Sequence, residues 1–411
     1  MRIAFIVSEF PKTTETFILR DLLKFREAGA EIRLYYLAPF RRHEIMHRFA
    51  EPLRPCVRHG AMLLGVRPWR AFAGALRRNR RQLQGVIAQL LTSFRREPIL
   101  LLKSMVILPK TLAITEELRE WRPHHLHAEF AGHPATAAWI INQLTSTPYS
   151  VCCRAHDLFV TQAFLDVKLR DAAFVRTISE FNRAFIAKHL PEIRETSVYI
   201  IHSSIDTNAV KPLPPAPRGK RFRILYVGAL QRRKGVEVLL RAIATASNRP
   251  HWQLDIVGDG PERRRLSRLV RQLGLVPRVQ FQGKLPFEAI TPMYAAAHVV
   301  VAPSIIGPGG RTEGIPNVLI EALAHQRPVI ATRVSGLREL VQEGDTGLLV
   351  DPGDALSLAA AIRSVEDRPD WAADMAAAGR ALVEREFDLR DNARRQFEVF
   401  AAHQLAEGAA T

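Results

Sequence analysis

The 411-residue sequence predicts an α/β protein built of two halves. Three observations carry this expectation: a β-α-β opening, a regular strand–helix alternation beyond residue 220, and a proline-rich connector between them. Such alternation places strands in parallel sheets with helices packed on their faces. The length exceeds what one ordinary core serves, which also points to two domains.

The opening is read from apolar spacing. Ile3 to Val7 is an uninterrupted apolar run, as a parallel strand buried on both faces requires. Thr16 to Ala28 places Phe17, Ile18, Leu22, Leu23 and Phe25 at helical spacing, and Gly29 closes it as a C-cap would. Ile32 to Leu37 is the second strand. Further on, His125 to Ala128, Tyr149 to Arg154, Ala172 to Thr177 and Val198 to Ile201 read as strands, and Ala135 to Leu144 as a helix.

Between them, Pro39 to Arg122 is rich in arginine and leucine and poor in strand signals. From Arg41 to Arg122 there are seventeen Lys/Arg and six Asp/Glu, a surplus of eleven against a chain total of +17. More than half of the net charge thus sits in about a fifth of the chain. Ordinary helices with solvated basic faces would look this way; so would a surface that lies on anionic lipid. The longest apolar stretches here, such as Ile99 to Leu108, are short and broken by Lys103, so no bilayer span is expected.

Lys211-Pro-Leu-Pro-Pro-Ala-Pro-Arg-Gly219 is a semi-extended connector. After it come strands at Arg223–Val227, Gln253–Val257, Val279–Gln282, Val299–Ala302 and Pro328–Thr332. Helices separate them at Val236–Thr245, Glu262–Leu273, Phe287–Ala296 and Asn317–His325. That is a doubly wound parallel sheet, whose ligands bind at the carboxyl ends of its strands. Arg385 to Ala406 reads as a terminal helix.

Composition narrows function. A net +17 favours an anionic partner. The three cysteines, Cys56, Cys152 and Cys153, form neither a disulfide framework nor a zinc spacing, and a reducing compartment fits them. The N-terminus lacks the length and cleavage site of a signal peptide. Aromatics are not interleaved with the basic residues as a nucleic-acid stacking platform would need. No Gly-x-Gly-x-x-Gly follows the first strand of either half, which disfavours a nicotinamide dehydrogenase.

Two segments carry candidate chemistry. Glu313-Gly-Ile-Pro-Asn-Val-Leu-Ile-Glu321 reads as a helix start, with Pro316 at its first position and the N–H groups of Gly314 and Ile315 just ahead. A helix N-terminus is an anion site. Glu313 precedes it, and Glu321 lies about 7 Å along the helix axis. A plain acidic helix start has the same pattern. The second segment, Gly228-Ala-Leu-Gln-Arg-Arg233-Lys234-Gly235, joins a strand to a helix. Its glycines permit close backbone approach, and two cations stand where a leaving diphosphate could be stabilised. A basic surface turn is the plain alternative. In the first half, His156 of Arg154-Ala-His-Asp157 sits at a strand end; a buried structural histidine has the same signature, and His127 is a weaker case. Metal binding is disfavoured, since the histidines lack ligand spacing.

Together these residues resemble the retaining glycosyltransferases of family 4, of exopolysaccharide or lipopolysaccharide type. The resemblance rests on Arg311-Thr-Glu313 through Ala324, Pro328-Val-Ile-Ala331, Val257-Gly258-Asp-Gly-Pro261, Ala302-Pro-Ser304, Gly347-Leu-Leu-Val350, Ser8-Glu-Phe-Pro-Lys-Thr-Thr-Glu15 and Ile200-Ile-His-Ser-Ser-Ile-Asp206. It covers most of the chain outside 39–122. It implies the GT-B fold, two Rossmann-like domains facing across a cleft, with the basic helical segment inserted in the first. The N-terminal acceptor domain would span 1–210, with a C-terminal helix, 385–411, packing back on it; the donor domain would span 220–384.

By resemblance, Glu321 binds the nucleotide ribose, Glu313 lies near donor-sugar hydroxyls, and Gly314, Ile315 and Pro316 lie by the diphosphate, which Arg233 and Lys234 neutralise. Gly228, Gly258, Leu285 and Asn317 complete the donor-binding set, and His156 contacts the sugar near the reacting carbon. Departures from the family pattern are Ala229 in place of a phosphate-binding arginine, Ser203-Ser204 in place of Asn-Gly or Cys-Gly, and Glu129 in place of histidine. The implied activity is transfer of a sugar from a nucleoside-diphosphate sugar to a lipid-linked or polysaccharide hydroxyl, with retention and without a metal or other cofactor. The implied location is the cytoplasmic membrane face, held there peripherally by an anionic surface, with no nucleic-acid partner. Two alternatives stay open: a sugar-nucleotide epimerase of the same fold, and a non-catalytic polyanion-binding protein.

Overall fold

The computed structural model describes the chain except residues 13–14, 41–47, 59–64, 160–161, 218, 308–312 and 411; the side chains of 48, 155–156, 287–288 and 406–410 also lie outside the described residues. The chain divides into two compact units, residues 1–201 with 390–411, and residues 202–389.

The first unit holds a seven-stranded sheet of β1 (Arg2–Val7), β2 (Glu31–Tyr36), β3 (Val57–Arg58), β4 (His125–Glu129), β5 (Tyr149–Cys153), β6 (Phe174–Thr177) and β7 (Val198–Ile200). The order is β3-β2-β1-β4-β5-β6-β7, every pair parallel. Alternate strand residues feed opposite faces. Ala4 and Ile6 enter the core with Leu126, Ala128 and Ile140. Ile3, Phe5 and Val7 enter the other with Phe25 and Phe400.

The second unit holds β8 (Phe222–Val227), β9 (Trp252–Val257), β10 (Val279–Gly283), β11 (Val299–Ala302), β12 (Val329–Thr332) and β13 (Leu348–Val350). The order is β10-β9-β8-β11-β12-β13, again parallel. Ile224 and Tyr226 face one core with Leu240 and Trp252; Leu225 faces the other with Val300, Leu319 and Leu323. Strand order reverses between β8 and β11, so the loops leaving their carboxyl ends flank a switch point, the usual ligand position in such sheets.

The structure corrects several expectations. The basic segment also contributes an edge strand, β3, whose Val57 pairs with Leu34. β13 extends the second sheet through Leu348–Val350. Unforeseen helices include Glu180–His189, Ala355–Asp367 and Pro369–Glu386. The terminal helix starts at Leu389, not Arg385, because Ile205 and Phe387–Leu389 exchange backbone hydrogen bonds (Ile205 N to Phe387 O 3.0 Å, Leu389 N to Ile205 O 2.9 Å) and the chain must run extended there. Its Phe400 lies among Phe25, His125, His127 and Phe174 with ring centroids 5.2–5.9 Å apart. Ile99–Leu108 is the start of a longer helix, Pro98–Trp121, of 24 residues, with an 18-residue window of mean hydropathy 1.5; it suffices by length and composition to cross a membrane, although half of that window is buried in the fold.

Candidate functional site

β8 ends at Val227, and the chain turns through Gly228 into a 3-10 turn, Arg232–Lys234, before the helix Val236–Thr245. Gly235 adopts φ +66°, and a Cβ there would lie 1.7 Å from the Pro303 carbonyl oxygen. Glycine therefore lets the loop after β11 lie against this turn. Ile305 N donates to Arg233 O at 2.8 Å and fastens the two loops together. Gly258, at the end of β9, has φ +130°, and its missing Cβ would lie 2.0 Å from Gly228 O. Two of the expected donor-binding glycines thus pack backbone to backbone.

This fastening delivers three charges to one place. The Glu313 side chain is 9% exposed. One oxygen accepts from Arg233 Nη1. The other takes Lys234 Nζ at 2.5 Å and accepts from Ser304 Oγ at 3.1 Å. Ser304 is held in turn, its carbonyl accepting from Thr332 Oγ1 at 2.6 Å. Arg233 is steadied from behind by Gln231, Nε to Oε1 at 3.1 Å. Two cations on one carboxylate leave a local excess of one positive charge. Tyr226 lies beneath, its hydroxyl donating to Ala229 O at 3.0 Å; burial, and then the Glu313 charge, push its pKa upward.

Ile315 and Pro316 are buried and Gly314 half-buried. Pro316 is not the first helical residue. Its extended backbone (ψ 129°) makes it the cap, and the helix Asn317–Ala324 starts one residue later. The orphan N–H groups of a first turn therefore belong to Asn317 and Val318, while Leu319 N already donates to Pro316 O at 3.0 Å. Glu321, one turn on, accepts from the Tyr294 hydroxyl at 3.0 Å, and burial followed by the Glu321 charge drives that tyrosine's pKa well up. Leu285, after β10, is half-buried against the same core.

The structure thus unites Arg233, Lys234 and Glu313 by direct contact, and places Glu321 on Tyr294. Arg311 and Thr312 lie outside the described residues. So does the side chain of His156, whose backbone belongs to a short helix, Ala155–Phe159, and not to a strand end. Ser304 stands in the Ala302-Pro-Ser304 motif, but only the fold brings it to Glu313; Tyr294 has no sequence signal. A cavity of about 540 Å³ opens beside Gly235, lined by Arg232, Val236, Glu237, Arg265 and Ile306 among others. Lys234, Glu313 and Glu321 do not line it, so it is not the place where the expected donor residues meet.

In the first unit the polar strand ends form a buried network. His127 is fully buried, with Nδ1 2.7 Å from Ser150 Oγ and Nε2 3.6 Å from Glu129. Burial, against the pull of Glu129, holds it toward the neutral form. Glu129 pairs with Arg154 at 3.2 Å. Burial alone would raise its pKa, but Arg154 and His127 bring it well below the usual carboxylate range. Asp157 accepts from Arg154 N at 2.9 Å and from Ala131 N; burial outweighs these bonds and raises it to about 6. The three cysteines are buried and unpaired.

Two parallel sheets of this order and winding, one in each unit, define the GT-B class of α/β proteins. A sucrose-phosphate synthase from Thermosynechococcus elongatus superposes with a TM-score of 0.76 at 22% identity, over 99% of this chain and 100% of that one. Anabaena HepE, solved in complex with UDP, superposes at 0.71 and 20% identity over 98% and 100%. These likenesses speak to fold.

Residues 221–367 match the family described as glycosyl transferases group 1, and they form a domain of that family. The alpha-D-kanosaminyltransferase of Streptomyces kanamyceticus is 33% identical over 40% of this chain and 42% of its own length. The GDP-mannose-dependent alpha-(1-6)-phosphatidylinositol monomannoside mannosyltransferase of Mycolicibacterium smegmatis is 30% identical over 57% and 61%. The lipopolysaccharide core biosynthesis glycosyltransferase LpsD of Rhizobium meliloti is 32% identical over 43% and 50%. The chain spans about half the length of the curated relatives it matches.

Proposed function

We propose that this protein is a retaining glycosyltransferase that moves a hexose from a nucleoside-diphosphate sugar to a hydroxyl of a lipid-linked or polysaccharide acceptor, working peripherally at the cytoplasmic membrane face. The observation that carries the donor class is the Arg233–Glu313–Lys234 cluster at the switch point of the second unit. A diphosphate competes with Glu313 for both cations, and the adjacent start of the helix Asn317–Ala324 adds a favourable dipole. One solved neighbour supports the class: Anabaena HepE was crystallised with UDP and with UDP-glucose.

In the proposed step the bond from the anomeric carbon to the phosphate oxygen breaks. The acceptor oxygen bonds to that carbon on the same face, and its proton passes to the leaving phosphate oxygen. Lys234 and Arg233 meet the growing charge on the nucleoside diphosphate. Glu321 holds the ribose, its orientation set by Tyr294. Glu313 and Glu321 are not a hydrolase pair, since each has a separate task. The assignment of His156 to the donor sugar rests on the family resemblance alone. The cations do the work that a divalent metal does elsewhere.

Thermal-shift titration against nucleosides, nucleoside diphosphates and sugar nucleotides, with and without EDTA, tests this, since a ligand of the folded state raises the melting point. Diphosphates should shift it and nucleosides far less, with EDTA making no difference. Absence of any diphosphate shift overturns the donor class.

A further inference from the structure

The helices Val66–Arg78, Arg80–Ser93 and Pro98–Trp121 hold seven of the exposed large hydrophobic residues: Val66, Trp69, Leu76, Leu91, Ile99, Leu102 and Val106. Ile99 and Leu102 are 68% and 65% exposed. The same stretch, 66–106, has nine Lys/Arg and a single acid, Glu97. A soluble surface does not usually cluster bare aliphatics.

The concentration is sharpest at the corner between the second and third of these helices. Phe94 is buried, its ring 5.6 Å from that of Phe164, and anchors the corner to the fold. Around it Leu91, Arg95, Arg96, Ile99, Leu102 and Lys103 all face solvent. Ile99, Leu102 and Val106 are spaced i, i+3, i+7, a single stripe along one helix face. The opposite face, Ser104, Leu108 and Thr111, is buried.

We infer that this corner docks on an anionic lipid bilayer, the Ile99–Leu102–Val106 stripe entering the headgroup–acyl boundary while Arg95, Arg96 and Lys103 meet lipid phosphates. This deepens, and rests on, the peripheral attachment proposed above, which net charge alone could also produce. Other occupants fit less well. A second copy would bring the same surplus of eight positive charges against this one. Nucleic acid offers phosphates to the arginines but nothing to the aliphatic stripe. A full membrane crossing by Pro98–Trp121 would pull Leu112, Ile114 and Leu118 out of the core they share with Ile140, and would carry the charges of Lys110, Glu116 and Glu117 into the bilayer.

The test is sedimentation of the full chain with phosphatidylcholine vesicles, with and without phosphatidylglycerol, comparing wild type with Ile99→Ser/Leu102→Ser, which leaves charge unaltered, and with Arg95→Gln/Arg96→Gln. Wild type should prefer the anionic vesicles. The serine variant should lose about 100-fold in partitioning, as expected for two aliphatic side chains kept in water. The glutamine variant should lose less and should be the less salt-sensitive of the two. A serine variant that partitions like wild type, equal binding to both vesicle types, or a wild-type dimer that the serine variant dissolves would each overturn the inference. The thermal shift by nucleoside diphosphate is read in parallel on every variant. Its retention shows the fold intact; its absence from wild type alongside vesicle binding would count against the donor reading and leave the docking surface standing.

Discussion

Removal of the Lys234 amine is the perturbation that bears most directly on the proposed donor site. Its Nζ lies 2.5 Å from Glu313, and its side chain is 18% exposed. In Lys234→Ala the carboxylate keeps Arg233 and Ser304, so the fold should lose only about 1 kcal/mol, in the range of partly exposed ion pairs. Ligand binding should lose more. A cation about 4 Å from a phosphate charge, at an effective dielectric constant near 20, gains about 4 kcal/mol of gross Coulomb energy. Part of that is offset because Lys234 must leave Glu313 to reach the ligand. A net of about 2 kcal/mol remains, or roughly 30-fold in Kd. Calorimetric titration of a nucleoside diphosphate and of its parent nucleoside measures the difference. The diphosphate should weaken roughly 30-fold and the nucleoside hardly at all. Turnover should fall further, by about 10²–10³, because charge on the leaving group grows toward the transition state. An unchanged diphosphate Kd, or equal losses for both ligands, would refute the role of Lys234.

Other perturbations separate site from scaffold. Glu313→Gln keeps the shape but frees two cations, so nucleoside-diphosphate Kd should tighten about tenfold at low salt, one charge interaction of about 1.4 kcal/mol, while the melting point drops; unaltered affinity would mean Glu313 does not compete with the ligand. In Gly235→Ala the new Cβ meets Pro303 O at 1.7 Å at a positive φ, so chemical denaturation should show a loss of about 3 kcal/mol or more, with diphosphate binding lost as the two loops part. Phe400→Ala empties a site with no exposure, at about 3–5 kcal/mol, and a urea midpoint close to wild type would mean that the terminal helix contributes little. Lys168, buried with its amine 2.6 Å from Ala131 O, has its pKa lowered by burial from 10.5 to about 8. Above pH 8 the folded chain has shed a proton that the unfolded chain retains, so this residue's contribution to stability rises with pH up to 10.5. Lys168→Met should therefore be more stable than wild type by a margin that shrinks by about 3 kcal/mol from pH 7 to 10.5; a pH-independent margin would show that the buried amine does not titrate as described.

The legible part of the fold was the part that physics makes redundant. Strands such as Ile3–Val7 and Val299–Ala302 are buried on both faces of a parallel sheet, and their apolar runs announce them. Elements that fail this test passed unseen. Val57–Arg58 is a two-residue edge strand inside an arginine-rich segment, and two residues make no run. Leu348–Val350 was visible as a motif but too short to show a period. The helix Pro369–Glu386 buries Ala372, Ala376, Gly379 and Arg380 among Met375, Leu382 and Val383, so its inner face shows only a broken run of large apolar residues; Ala355–Asp367 does bury Leu358, Ile362 and Val365 at helical spacing, a signal diluted by the alanines around it. At Pro98–Trp121 the apolar count is legible, but Lys103 interrupts the run along the sequence; the helix runs on because that side chain is exposed to solvent, as one charge on an amphipathic surface is.

The site shows where reasoning along the chain stops. Each of Arg233, Lys234 and Glu313 was legible as a charge beside a turn or a helix start, and each was given its own task on the ligand. What spacing could not show is that they bond to one another. Eighty residues separate Arg233 from Glu313, and they meet because a glycine at 235 lets the loop after β11 settle on the loop after β8. Once they meet, the assignments are no longer independent. A carboxylate that holds both cations fixes where they stand, whatever the proposed role of each toward a ligand. Ser304 and Thr332 in turn fix the carboxylate. On the proposed reading, specificity for a diphosphate would rest on a competition between two anions for the same pair of cations, with a strength set by the carboxylate's burial as much as by the ligand's charge.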